Sequence, residues 1–459
     1  MSKIEVNTIE PQCGTTLTLG GSGDTVALGS GASQTGFGRT GTVNWDTASI
    51  KTTGFTAVSG NGYFCNTSGG AFTATLPANP TAGDIVAFSD YTRSFATYNL
   101  TIGRNSKPIG GVAADGGLDA DGQSATFVFV DDTEGWININ ETQTSQTGIP
   151  PFISATGGTI TCSGNDKIHT FTGPGTFTVC KIATCCAAVN NLVSYMVVAG
   201  GGGSGAYAGG GGGAGGFREL KSPSTPYTAS PLDGYPNAPN RITVTATDYP
   251  IVVGGGGTGN PTGDPGGAGT RGNDASFSSI TSAGGGAGAG GPAPTTPLGP
   301  GGSGGGGSEG GAGGSGDTPP TTPAQGFTGG TGSGPGPQND HYEEGGAGGG
   351  ATTVGGNGTH AGSPTATGGT GATTHISATP TAYAGGGGGG RGALSPGGGA
   401  PSGGAGGGGN GAFSTTENTV GTANTGGGGG GGSAGPAPST IWAGANGGDG
   451  IVVIRYKFQ

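Results

Sequence analysis

The chain has 459 residues, a formal net charge of −11 and 117 glycines, against an ordinary glycine share of about 7%. Acidic, poor in charge and without a Lys/Arg cluster, it suits neither nucleic acid nor an anionic membrane, both of which are held by grouped cations. No apolar run reaches the roughly 20 residues of a bilayer span, and no charged stretch before an apolar core marks an export signal, so synthesis in a cytoplasm without a signal peptide is expected.

In chain order, residues 1–40 carry scattered apolar positions (Ile4, Val6, Ile9, Leu17, Leu19) among Gly and Ser. That is too little surface for a core of their own, and the segment is expected to order only against something else. Residues 41–140 read as a small β-sandwich. Short period-2 runs such as 71–76, 84–88, 99–102 and 125–130 alternate with turn residues, and Pro77 and Pro80 stand between strands. Residues 141–166 read as a linker. Lys167–Thr172, Gly173-Pro174-Gly175 and Thr176–Val179 read as a hairpin, and Tyr195–Ala199 as a further strand.

Residues 1–194 hold 28 glycines, so 117 − 28 = 89 fall in the remaining 265. Runs at 209–216, 284–291, 300–316, 385–390, 403–409 and 426–432 contain up to seven consecutive glycines. Collagen needs strict Gly-X-Y, which is absent. A flexible linker or a disordered tail has no use for the apolar ending Ile451–Phe458. A bundle of polyglycine II helices meets these objections. This extended helix has three residues per turn and no internal hydrogen bonds, so its peptide groups face outward and can bond neighbouring helices. Small residues such as Ala208, Ala214, Ala287 and Ser303 are expected at its periphery. Strand 451–458 is expected to pair with 195–199 and the 167–179 hairpin as a β base for a head spanning 167–459. The fold class is thus all-β plus glycine-rich: an N-terminal attachment segment, a β-sandwich module, and a β base carrying polyglycine II helices with exposed loops.

Helices that shuttle between two ends place alternate loops distally. Counted from both termini, the distal loops are 205–208, 258–265, 292–299, 337–344, 359–365, 391–396 and 433–443. The two counts disagree by one crossing, which a reversal at Ser308-Glu309 or at 351–354 repairs; the second suits the β base better. Distal side chains would be Tyr207, Leu298, His341, Tyr342, His360, Leu394, Ile441 and Trp442. Exposed aromatics on a rigid support bind sugars or protein surfaces, so Trp442, Ile441, Leu394, His360, Tyr342, His341 and Tyr207 are the receptor-binding candidates.

Two stretches resemble known families. The string from Gly62 through Thr75-Leu76-Pro77, Ala82–Val86, Asn99–Asn105, Phe129–Asp131 and Gly135-Trp136 resembles a module recurrent in tail fibres of marine and cyanobacterial phages. Lys3–Ile9 is similar to the attachment end of such fibres. Tyr195–Gly200, Gly211–Glu219, Tyr383–Gly390, Gly421–Thr425 and Gly450–Phe458 resemble the glycine-rich domain of phage tail and surface proteins. The resemblance implies a homotrimeric virion fibre, joined to other tail proteins through its N-terminus. Its head would meet a host-surface glycan or outer-membrane protein. Alternatives are a structural virion appendage without a receptor and a glycan-cleaving tailspike.

Catalytic and cofactor signatures are missing. Gly-x-Gly-x-x-Gly matches arise by chance at this glycine content. His169, His341, His360 and His375 lack metal spacing, and no cysteine pair has C-x-x-C spacing. Free thiols, or a bridge between Cys162 and Cys180, both fit the six cysteines. Asn339–Glu344 reads as a solvated loop that could hold a cation. Asp84, Asp90, Asp131, Asp132 and Glu134 read as turn residues rather than paired catalytic acids. No enzyme, cofactor or metal is expected.

Overall fold

The structure is a computed structural model. It describes residues 43–140 and 152–459, except 184, 262–266, 292–299, 335–342, 361–363, 393, 396, 397, 415 and 434–442; the side chains of residues 185 and 186 are likewise not described. The attachment segment 1–40 therefore lies outside the described residues. The chain is nearly all β and forms two compact units, the boundary falling between 143 and 144, with 106–117 grouped with the second unit. Each is described by itself.

The first unit starts with β1 (Asn44–Lys51), β2 (Phe55–Thr56), β3 (Asn61–Cys65), β4 (Phe72–Thr75), β5 (Ile85–Asp90) and β6 (Leu100–Gly103). β7 (Gly116–Leu118) has only Leu118 in this unit, and β8 (Ser124–Asp131) and β9 (Gly135–Asn138) end it. Two sheets form, ordered β1-β3-β5-β8-β9 and β2-β4-β6-β7. They pack face to face: Phe55 of the second sheet lies 4.9 Å from Tyr63 and 6.4 Å from Phe88 of the first. The pairing differs from that of an antiparallel sandwich. β1 with β3, β3 with β5, β2 with β4 and β4 with β6 are all parallel. From β1 to β6 the chain therefore steps between sheets at each turn, and each odd strand reaches the next through an even one. Parallel neighbours need such a crossover, which alternation of apolar residues cannot reveal. The turn acids cap loops as expected. Asp131 accepts the amides of Thr133 and Glu134. Burial alone would raise the Asp90 carboxyl, but the amides of Gly122, Phe95, Ser94 and Thr92 hold it below the ordinary value.

The second unit has a β base of two sheets. One is ordered β10 (Ser154–Thr156), β13 (Gly175–Lys181), β16 (Asp248–Val252), β17 (Ala275–Phe277), β18 (Ile280–Ser282). The other is β11 (Thr159–Ser163), β12 (Asp166–Phe171), β21 (Ile451–Lys457), β14 (Ser194–Val198), β15 (Phe217–Leu220). β10 and β11 fall in the stretch read as a linker, so the head begins before residue 167. The terminal strand β21 lies antiparallel between β12 and β14, with Ile454 opposite both His169 and Tyr195. β12 and β13 are not a hairpin: β12 pairs with β11 and β21, β13 with β10 and β16. The Gly173–Gly175 turn carries the chain from one sheet to the other, so Phe171 and Phe177 both enter the core between them, with Val197, Phe277 and Tyr456. The opposite face of the second sheet packs Met196, Phe217 and Val453 against β19 (Ala372–Thr374) and β20 (Thr381–Tyr383) through Ala372, Ile376 and Tyr383.

Under that face Glu219 is buried. Its carboxylate accepts the Ser230 amide at 2.9 Å and the Thr374 hydroxyl. Burial raises its pKa, and these hydrogen bonds offset the rise only in part. A raised folded value means that the fold favours the protonated acid. The resulting stabilisation is full below the unfolded carboxylate value of about 4.3 and is lost as pH rises through the folded value. Glu219→Gln removes the charge while its amide oxygen can still accept the Ser230 amide and its NH2 can donate to the Thr374 hydroxyl oxygen. Melting followed from pH 5 to 8 should therefore fall less in this variant than in the parent; parallel profiles would contradict it.

The glycine runs rise from the base as extended segments bonded sideways. In run 199–205 the amides of Gly200 and Gly203 donate to Asn273 and Thr270, those of Gly201 and Ser204 to Gly448 and Ala445, and those of Gly202 and Gly205 to Gly213 and Gly210. Its carbonyls accept in the same threefold rhythm, from Gly285 and Gly288, from Gly257 and Asn260, and from Gly429 and Gly432. Six neighbouring runs thus surround one helix, and residues three apart face the same neighbour. This is polyglycine II geometry, with three residues per turn. Run 209–216 is enclosed in the same way. The helices approach closely enough to exclude side chains: a Cβ on Gly202 would lie 2.0 Å from the Gly286 oxygen, and one on Gly212 2.0 Å from the Gly202 oxygen. Ordering glycine costs at least about 1–2 kcal/mol per residue, and one hydrogen bond returns about 0.5–1.5 kcal/mol. A single helix fails on that balance; a lattice in which each residue both donates and accepts comes near to closing it. The small residues expected at the periphery lie inside, Ala214 and Ser303 fully buried and Ala208 and Ala287 nearly so. Ser204 is accommodated because its hydroxyl joins the lattice, donating to Gly430 O at 2.6 Å and accepting from the Ala445 amide at 2.7 Å.

Both suggested reversals exist. Ser308-Glu309-Gly310 turns at the distal end, with Gly311 N donating to Ser308 O at 2.7 Å and Glu309 at a φ of 42°. The chain also turns at the base, where Gly350 N donates to Thr353 O at 3.0 Å. Runs 284–290 and 301–307 ascend side by side, since Gly286 N bonds Ser303 O and Ala289 N bonds Gly306 O. The loop at 292–299 that the sequence count placed distally lies outside the described residues.

Candidate functional site

Away from the β base, the runs end in one surface. Turns 206–208, 308–310, 333–334, 343–344 and 359–360 meet there with the described residues 391, 392, 394, 395, 413, 414 and 416. Glu344 is its organising residue. Its carboxylate accepts the amides of Thr359, Thr365 and Ala366 at 3.0, 3.0 and 3.1 Å and the hydroxyls of Thr359 and Thr365. Glu344 is only 1% exposed, so a charge that composition assigns to solvent serves as an internal clasp. Arg391 is equally buried. Its guanidinium lies 5.2 Å from the Phe413 ring centre, its amide donates to Ala412 O at 3.0 Å, and its carbonyl accepts the Ser433 hydroxyl at 2.6 Å. Bridges Glu344–Arg391 and Arg391–Phe413 tie three turns together.

Beside this clasp lies an acidic cluster. Glu343 is 6% exposed, with its Oε2 buried and without a hydrogen bond among the described residues. Burial and the charge of Glu343 raise the pKa of Glu309. Burial, then Glu343 and Glu309, raise that of the Tyr207 hydroxyl. The loop expected to be solvated at 339–344 is thus buried at its described end. No group of three or more His, Cys, Asp or Glu suited to a metal occurs among the described residues.

Of the receptor-binding candidates, His341, Tyr342, Ile441 and Trp442 lie outside the described residues, as does Leu298. Leu394 stands out at 49% exposed. His360 is half-buried beside the Glu344 clasp. Tyr207 is half-buried in a left-handed turn with φ 57°. Leu394, His360 and Tyr207 thus share the distal surface, but only Leu394 is freely presented. Sequence reasoning read Glu309 only as part of a reversal and Glu344 only as part of a solvated loop, and missed Arg391 and Phe413. The adjacent acids Glu343-Glu344 in a glycine-rich stretch were the one available signal. The exposed aromatics Trp45, Tyr91 and Tyr98 belong to the first unit, where Trp45 lies 5.0 Å from Phe64 and Phe64 6.4 Å from Tyr91.

Cys65, Cys162 and Cys180 are free thiols, the last two exposed; no Cys162–Cys180 bridge forms. Burial pushes the Cys65 thiol up to about 12, which makes it unreactive.

No curated protein matches the chain significantly. The family model for the glycine-rich domain matches residues 170–457. That interval runs from β12 through the whole lattice to the end of β21 and is more than half of the chain, which therefore belongs to the glycine-rich domain family.

Proposed function

We propose that the chain is a non-enzymatic virion fibre protein whose glycine-rich head recognises a host-cell surface through its distal turns. The carrying observation is the division of labour in the head. A rigid hydrogen-bonded lattice occupies the interior, and its turns gather at one end, fastened by Glu344 and Arg391. Such a platform holds variable loops without asking them to form a core. The resemblance of residues 1–140 to phage fibre modules supports attachment to other tail proteins through the N-terminus, and assembly as a homotrimer. A glycan or an outer-membrane protein is the receptor class, bound by Leu394 and Tyr207 together with the sequence candidates His341, Tyr342, Ile441 and Trp442.

The test uses the intact protein, fluorescently labelled, on a panel of bacterial strains and their purified surface polysaccharides. Saturable binding to some strains is expected, and Trp442→Ala with Leu394→Ala should weaken it at least tenfold without changing the melting temperature. A folded protein that binds no strain would identify a purely structural appendage. New reducing ends on the polysaccharide would identify a glycan-cleaving spike.

A further inference from the structure

A cleft of about 510 Å³ opens at the base of the head, away from the distal turns, and is lined by Ser163, Lys221, Tyr227, Thr228, His375 and Arg455 among others. Its walls come from the end of β11, the loop after β15, the loop between β19 and β20, and β21. One backbone tie and one side-chain tie hold them: His375 N donates to Thr228 O at 3.0 Å, and Arg455 donates through one Nη to the carbonyls of His375 and Ile376, both at 3.3 Å.

Among the described residues no carboxylate lines the cleft, although acids outnumber Lys and Arg by 26 to 15 in the chain. Nitrogen-bearing and hydroxyl side chains converge there instead. Arg455 is committed to Asp166 and to the two carbonyls, so it forms a fixed wall. Tyr227 is a positioning residue. Its ring centre lies 5.9 Å from Lys221 Nζ and 5.1 Å from Arg455 Cζ. Burial and nearby Glu219 raise its hydroxyl, which keeps it neutral. Lys221 is the uncommitted group: its ammonium makes no ion pair or hydrogen bond among the described residues, and the nearby Asp233 accepts the backbone amides of Lys221 and Tyr235 at its Oδ1 rather than the ammonium. The His375 ring likewise has no hydrogen bond among the described residues.

A compact ammonium facing an acid-free, hydroxyl-lined cleft is suited to an oxyanion. The volume falls within the range of small-ligand sites and exceeds what a bare anion fills. We infer that this cleft binds a saccharide bearing a carboxylate or phosphate, with Lys221 Nζ on the oxyanion and Ser163, Thr228 and His375 on the sugar hydroxyls. The site is separate from the distal surface and would give the head a second, weaker hold on an acidic glycan.

Saturation-transfer NMR on the intact protein tests this with D-glucuronate, D-glucose 6-phosphate, D-glucose and sodium sulfate. The two acidic sugars should show transfer, and glucose little or none. Lys221→Gln should weaken glucuronate binding at least fivefold, and Lys221→Arg should restore most of it. Sulfate should compete less well than glucuronate at equal concentration. Leu394→Ala at the distal surface should leave the signal unchanged, so this inference and the receptor reading fail independently. Equal transfer to glucose and glucuronate, or indifference to Lys221→Gln, would overturn it. Displacement by sulfate as efficient as by glucuronate would reduce the cleft to a plain anion site and overturn the saccharide assignment.

Discussion

Gly202→Ala and Gly212→Ala should each unfold the glycine-rich head at temperatures where Gly255→Ala leaves it folded. All three add one methyl group to a glycine of the lattice, and they differ in what that methyl meets. At Gly202 and Gly212 it lands 2.0 Å from a peptide oxygen of a neighbouring helix. At Gly255 it meets only the side-chain ends of Asn273 and Asp449, at 3.7 Å. Overpacking an ordinary core costs about 1–3 kcal/mol because side chains shift. Here the obstacle is backbone, and the helix holding it is bonded to further helices, so displacement spreads. A loss above about 3 kcal/mol is therefore expected at the two enclosed positions. At Gly255 the smaller entropy of the unfolded chain should give a change between zero and a gain of about 1 kcal/mol. Thermal unfolding followed by circular dichroism, with amide exchange at Gly202 and Gly212, checks both outcomes. Equal melting of the three variants, or fast exchange at these amides in the parent, would mean that the glycine runs are not packed as described.

Arg455→Met should destabilise the base by about 3–5 kcal/mol, the usual cost of stranding one member of a buried ion pair. Arg455 Nε and one Nη both reach Asp166 Oδ2 at 2.8 Å, and the two side chains are 4% and 1% exposed. Asp166 Oδ1 already lacks a hydrogen bond, so loss of the guanidinium would leave the carboxylate with no compensation in a dry site. The pair joins β12 to β21, strands nearly 290 residues apart in sequence. Removing both charges at once, as Asp166→Leu with Arg455→Met, should recover much of the loss, since an apolar pair avoids desolvation. Chemical denaturation of the single and double variants measures the coupling. A double variant no better than the sum of its parts would show that the two residues stabilise the base separately.

Much of the architecture was legible in the sequence because its signals are local. Period-2 runs marked most strands of the first unit. The apolar ending 451–458 announced a strand inside a closed domain, and β21 does pair with β14. Consecutive glycines announced a backbone that must bond sideways. Partnership was not legible. Phe171 and Phe177 alternate in one short stretch, yet their strands lie in different sheets, because each aromatic gains more by entering the core from its own side than by continuing a ladder. Parallel pairing of β1, β3 and β5 depends on where the chain returns, which alternation does not encode.

At the distal surface the difference is sharper. Composition placed Glu343 and Glu344 in solvent, while tertiary structure buries them, because the amides of Thr359, Thr365 and Ala366 arrive from another turn to receive the Glu344 charge. The cleft around Lys221 is assembled from four segments between residues 163 and 455 and has no linear signature. The sequence by itself determined that side-chain-free runs would be extended and bonded to one another. Only the tertiary structure decided which run meets which, because a polyglycine II helix presents the same N–H and C=O groups on every side and leaves the choice of neighbour to the turns and the β base.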